Sequence, residues 1–174
     1  MNNLFNHVTI ADVSKLTNPI EHQPGKNIVK KWENIIVHCS ASEWGCARTF
    51  RNWHLARGWR DIGYHFVIQN GYPTQDQQYF KALDGQIECG RYLDGDLSVE
   101  SEEVGAHALG YNSNSIGVCL VGNEYFSFQQ RLALLRTLDM LIDNYGISPE
   151  NVLGHCETES GKRSGKTCPN IDIQ

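Results

Sequence analysis

The sequence lacks a basic surplus. Its 15 Lys and Arg stand against 20 Asp and Glu, for a net charge of −5. Phosphate recognition needs clustered cations, so no nucleic-acid partner is expected. No apolar run approaches the roughly 20 residues that cross a bilayer, so no membrane span is expected either. The opening stretch to Trp32 has no basic flank followed by an apolar core. It does not read as an export signal, and synthesis in the cytoplasm is the expectation. There is no CxxC pair among the six cysteines, at 39, 46, 89, 119, 156 and 168, which removes support for a zinc ribbon or a thioredoxin-like site. A chain of 174 residues does not need disulfide staples, and mostly reduced thiols are expected. No internal repeat and no interdomain linker is visible.

What is present reads as one packed domain behind a polar arm. Hydrophobic residues make up 40% of the chain, enough for a core. Residues 1–32, broken by Pro19, Pro24 and Gly25, read as an N-terminal arm, and 33–174 as the domain. The run Ile35–Val37 is the length of a buried strand. Residues 48–58 carry Phe50, Trp53 and Ala56 at helical spacing and stop at Gly58. In 63–71, Tyr64, Phe66 and Ile68 alternate into Asn70-Gly71, which predicts a strand entering a hairpin. Asp84-Gly85 reads as a second tight turn before a strand in QIECGRY, and the acidic 94–103 as a solvated loop. SIGVCLVG (115–122) is another buried strand. Ser127 and Gln130 form a capping box for a helix that runs to Gly146. Its apolar series is Phe128, Leu132, Leu135, Leu138, Ile142 and Tyr145. NVLGHCE (151–157) is a short strand followed by a Gly-, Ser- and Lys-rich loop. Interleaved strands and helices of this kind predict an α/β domain, a mixed central sheet with helices packed on it.

Two strand-like runs end on histidine, His38 and His155, and Cys168 lies 13 residues after the second. Two imidazoles and a thiolate make a three-ligand zinc set that leaves one tetrahedral position open. Spacing alone does not separate this from isolated histidines on a surface or in a core, or from cysteines acting as small apolar residues.

The blocks IIVHCSAS, GWRDIGYHFVIQNG, GAHALGYNSNSIGVCLVGN, VLGHCE and GKTCPN, in this order from about residue 33 to 172, resemble the amidase-2 family. These are the N-acetylmuramoyl-L-alanine amidases of phage-lysozyme type, which share a fold with the peptidoglycan recognition proteins. The resemblance implies a zinc ion held by His38, His155 and Cys168, the last at a position where many relatives place Asp. It implies Tyr64 and Lys166 as catalytic residues and His107 as a residue lining the substrate groove. A phenol and a cation beside the metal suit amide hydrolysis, which builds negative charge on the carbonyl oxygen. The implied substrate is peptidoglycan or muropeptides, cut between N-acetylmuramic acid and L-alanine of the stem peptide. An endolysin acting on the cell wall after release, as a monomer, is the expected setting.

Two other classes compete. A non-catalytic peptidoglycan-binding module of the same fold would typically lack the cysteine ligand. A cysteine peptidase would need a thiol opening a helix, and neither Cys39 nor Cys168 is so placed. His65, His54, His7 and His22 read as packing or surface residues, and Cys39 and Cys156 as thiols directed away from the metal, with a disulfide between them conceivable. The strand IGVCLVG carries no carboxylate where relatives that recycle wall fragments place a glutamate. Residues 72–85 and 94–103 exceed the usual hairpin of the family and are expected to border the groove.

Overall fold

A computed structural model describes residues 32–91 and 96–173. The arm lies outside the described residues except for Trp32. That side chain is buried, and its indole N–H donates to the Val99 carbonyl (3.1 Å).

Five strands form one mixed sheet: β1 (Asn34–Cys39), β2 (Phe66–Asn70), β3 (Asp84–Cys89), β4 (Ser115–Leu120) and β5 (Val152–Gly154). Their order is β3-β2-β4-β1-β5. β1 is parallel to β4 and β5, β2 is parallel to β4, and only the β2–β3 pair is antiparallel. The apolar runs become the central strands because both faces of the sheet are covered. One face carries Ile35, Val37, Phe66, Ile68, Ile116, Val118 and Leu120 into the larger core. The helix α2 (Phe128–Tyr145) closes that core with Leu134, Leu138 and Leu141. The other face carries Val67, Cys119 and Val121 against Ala47 and Phe50 of α1 (Ala47–Ala56) and Ile62. Each large aliphatic side chain buried this way contributes roughly 1.5–3 kcal/mol over exposure. His38 alternates with Val37 and Cys39 and so stands on the α1 face, where the functional side chains gather.

The helix α2 starts and stops where its local chemistry dictates. Ser127 accepts from the Gln130 N–H, Gln130 returns the bond, and Gly146 takes the left-handed conformation at the C-terminus (φ 62°). Its buried stripe is rotated from the expected one: Gln130, Ala133, Leu134, Thr137, Leu138 and Leu141 face the sheet, while Phe128 is exposed. Gln130 also donates to the carbonyls of Ile68 and Val121 near the ends of β2 and β4, the first of which accepts the Val121 N–H as well. A polar residue thus takes the core position that periodicity assigned to an apolar neighbour.

Three connections depart from expectation. Asn70-Gly71 does not close a tight turn: Asn70 pairs with Asp84, so a long excursion separates β2 from β3. Asp84-Gly85 opens β3 instead of forming a turn. Gly85 has φ +80° at an irregular register and lies so close to the Gln129 backbone that a Cβ would approach its carbonyl oxygen to 2.7 Å. The acidic segment is anchored, not simply solvated. Val99 is buried and accepts Trp32, its N–H donates to the Tyr145 hydroxyl, and the Glu103 carbonyl meets His65 Nε2 at 2.6 Å. The Gly- and Ser-rich loop after β5 contains a short helix, α3 (Glu159–Arg163), capped by Thr158.

Candidate metal centre

The site assembles because β1 and β5 are parallel neighbours. Val37 pairs with Gly154, so the residues that follow, His38 and His155, emerge side by side with ring centroids 4.5 Å apart. The closing loop then returns over them. The Cys156 N–H donates to the Cys168 carbonyl (2.7 Å), and the Cys39 N–H donates to Cys168 Sγ (3.1 Å). One ligand atom each from His38, His155 and Cys168 lies within 4.8 Å of the others, and His38 Nδ1 is 3.9 Å from the sulfur. This group could hold a metal ion. It joins residues separated by 117 and 13 positions, and it is the one such cluster found among the described residues.

The imidazoles stay neutral at neutral pH, the form that ligates metals. Burial pushes His38 well below the ordinary histidine value, and the neighbouring His107 and His155 push it further. Burial lowers His155, and so does the charge of Lys166. The thiols of Cys39 and Cys168 share a hydrogen bond. It lowers Cys39 to about 7 and raises Cys168. The Cys39 backbone N–H acts the other way and favours thiolate at Cys168.

Of the other sequence-predicted residues, Tyr64 and His107 both lie against His38. Tyr64 precedes β2 instead of belonging to it, and its ring centroid is 5.3 Å from that of His38. Phe50 and His54 contact its ring edge to face, so it packs in the smaller core and faces the histidine cluster at once. Burial raises its phenol well above the ordinary tyrosine value, helped by Cys119, so it keeps its proton and acts as a donor. Lys166 is exposed, its backbone N–H tied to the Gly161 carbonyl after α3. Its ammonium lies close enough to lower both His155 and Cys39.

His107 has a contact that the sequence did not indicate. Its Nδ1 is 3.0 Å from His38 Nε2, the ring nitrogen other than the one near Cys168. Asn112 holds the loop by accepting the N–H groups of His107 and Ala108. Gly117 on β4 leaves room for the ring; a Cβ there would approach it to 2.6 Å. The far nitrogen of His107, Nε2, is buried with no partner.

The remaining histidines and cysteines behave as structural groups. His65 Nδ1 accepts the Gly117 N–H and its ring packs on Trp32. His54 accepts the Gly63 N–H, stacks on Trp59 and is held near 4, chiefly by burial. All six cysteines are free, so Cys39 and Cys156 form no disulfide. Asn170 was missed by sequence reading. Its side chain donates to the Asn123 carbonyl (2.7 Å) and ties the Cys168 loop to the end of β4. No local pattern marks such a residue, because its partner is 47 positions away.

Comparison with known proteins gives a consistent set of likenesses. The family model described as N-acetylmuramoyl-L-alanine amidase matches residues 29–171. An endolysin of Enterobacteria phage K11 is 35% identical over 152 residues, covering 80% of this chain and 82% of the relative. An endolysin of Enterobacteria phage T3 is 44% identical over 93 residues, covering 52% and 48%. Among solved structures, the N-acetylmuramoyl-L-alanine amidase LysC from Clostridium intestinale superposes with a TM-score of 0.59 at 26% identity, covering 80% of this chain and 77% of that one.

Proposed function

The chain belongs to the N-acetylmuramoyl-L-alanine amidase family, and from that premise we propose that it is a zinc-dependent endolysin cutting between N-acetylmuramic acid and L-alanine of the stem peptide. The convergence of His38, His155 and Cys168 carries this reading. Tetrahedral zinc with bonds of about 2.0–2.3 Å needs ligand atoms roughly 3.3–3.7 Å apart. The 3.9 Å between His38 Nδ1 and Cys168 Sγ is close to that, and the donor set is the kind zinc prefers. Bound zinc supplies Lewis acidity toward a carbonyl oxygen and toward water.

The chain's own groups do the rest. With His38 Nδ1 offering its lone pair toward Cys168, its proton sits on Nε2 and is donated to His107 Nδ1. His107 then carries its own proton on Nε2, and the His38 ring is fixed in one tautomer and one orientation. The Cys39 N–H favours the Cys168 thiolate. Tyr64 offers its O–H to the charge that develops on the scissile carbonyl oxygen, and Lys166 places a cation nearby. We place the protein's work at the cell wall after release from the cytoplasm, as a monomer; no helix among the described residues is long and apolar enough to cross a membrane.

Product analysis on purified peptidoglycan tests the reading. Wild type is expected to release peptides with a free L-alanine amino group, to stop with a chelator and to recover with zinc. Lys166→Ala is expected to lower the rate about ten-fold, less than a buried donor would, because solvent screens an exposed charge. New reducing ends in place of free amino groups would refute the amidase reading. His107→Ala is expected to weaken zinc binding by roughly 10–100-fold, read by competition with a chromogenic chelator. Unchanged affinity would show that the His38 contact is incidental.

A further inference from the structure

The excursion between β2 and β3 builds a cleft that the metal centre does not use. It has a volume of about 610 Å³ and lies between that excursion, the loop after β1 and the N-terminus of α2. Five aromatic residues line it: Trp44, Tyr72, Tyr79, Tyr125 and the buried Phe126. Tyr72 and Tyr79 are 41% and 46% exposed with ring centroids 5.4 Å apart, and Tyr125 is 85% exposed. Aromatic rings left this open cost solvation and point to a ligand that covers them.

The cleft is held in shape. Asp84 accepts the hydroxyls of Tyr79 (2.8 Å) and Ser127 (2.6 Å), joining the excursion to α2. Asn70 accepts the Tyr72 N–H and donates to the Glu43 carbonyl, joining it to the loop after β1. Trp44 is braced edge to face on Trp53.

The lining also selects a chemistry. Glu43 and Asp84 are its charged residues, and no Lys or Arg is present. An anionic ligand such as the carboxylates of a stem peptide is therefore disfavoured. Open aromatic faces interleaved with Asn70, Thr74 and Gln75 suit a neutral ligand with apolar C–H faces and many hydroxyl and amide groups. Sugar rings have that character, since their C–H faces meet the electron-rich faces of aromatic rings.

The cleft is continuous with the metal centre through two loops. One runs from Cys39 to Trp44. The other holds Asn123, bonded to Asn170 beside Cys168, and reaches Tyr125 two residues on. Ser40 ties the two loops by accepting the Gly122 N–H.

We propose that this cleft is a saccharide subsite that takes N-acetylated sugar units of the glycan strand while the metal centre acts on the stem. The substrate placement rests on the amidase reading; the saccharide binding does not. Two measurements on the full chain separate them. Titration with the N-acetylglucosamine tetramer is expected to show binding, weakened roughly ten-fold in Tyr125→Ala and in Tyr72→Ala. On purified sacculi the same variants are expected to raise KM about ten-fold with kcat little moved, well beyond any change on a fragment carrying one N-acetylmuramoyl residue and its peptide. No tetramer binding, or binding indifferent to both substitutions, overturns the proposal. Equal losses on sacculi and fragment overturn it too, since the cleft would then be serving the peptide. Tetramer binding that the variants lose, with no hydrolysis of either substrate by wild type, would support the subsite and sink the amidase reading instead.

Discussion

Cys168→Ala is expected to yield a folded protein with no stoichiometric zinc and an amidase rate at least about 10³-fold below wild type. Removing one donor of three leaves His38 and His155 alone, and the stabilisation of developing oxyanion charge, itself worth roughly 10²–10³-fold per donor group, goes with the metal. The fold should survive. The terminal loop is still held by the Cys156 N–H on the backbone carbonyl of residue 168 and by Asn170 on Asn123. The Cys39 N–H loses its acceptor, a cost of about 1 kcal/mol, and the Cys39 thiol and carbonyl lose weaker contacts with the sulfur. Metal analysis, a thermal melt and product release on one preparation check all three statements. Cys168→Asp, which restores an ionised ligand that zinc accepts, should recover part of the metal and part of the rate. A Cys168→Ala protein that still cuts at the wild-type rate would end the mechanism.

Tyr64→Phe is expected to lower kcat about 10²–10³-fold, with zinc content and thermal midpoint close to wild type. The substitution removes one oxygen and keeps the ring that packs on Phe50 and His54. Because burial holds the phenol well above its ordinary value, the hydroxyl is a donor throughout the neutral range, and the loss should not vary with pH there. A kcat that is unmoved would reduce Tyr64 to a packing residue. A fall in zinc content would place its effect on the metal instead of on the reaction. The contrast with Lys166 is one of burial: the exposed ammonium acts through water and salt, the enclosed phenol does not.

How legible each feature was in the sequence follows the range of the interaction that creates it. The α2 cap was readable because Ser127 and Gln130 are three residues apart. The stripe of α2 was not, because buried Gln130 is held by the carbonyl of Ile68, 62 positions away, together with that of Val121. Asn70-Gly71 and Asp84-Gly85 both look like turns locally. Only the pairing of Asn70 with Asp84 shows that they are the two feet of one excursion. The acidic segment looked solvated because charge is a local property, whereas its anchors, Trp32, His65 and Tyr145, come from elsewhere in the fold.

The strands, the principal helix, the family and the candidate ligands His38, His155 and Cys168 were legible from the chain of residues alone. Those depend on residue type, short spacings and ordered motifs. Tertiary structure alone decided that the three ligand atoms meet, through the parallel pairing of β1 with β5 and the return of the terminal loop. It also decided that His107 supports His38 and that the excursion becomes an aromatic cleft. A one-dimensional pattern records which donors exist; which of them face each other depends on strand order, and strand order is set by burying both faces of the sheet at once.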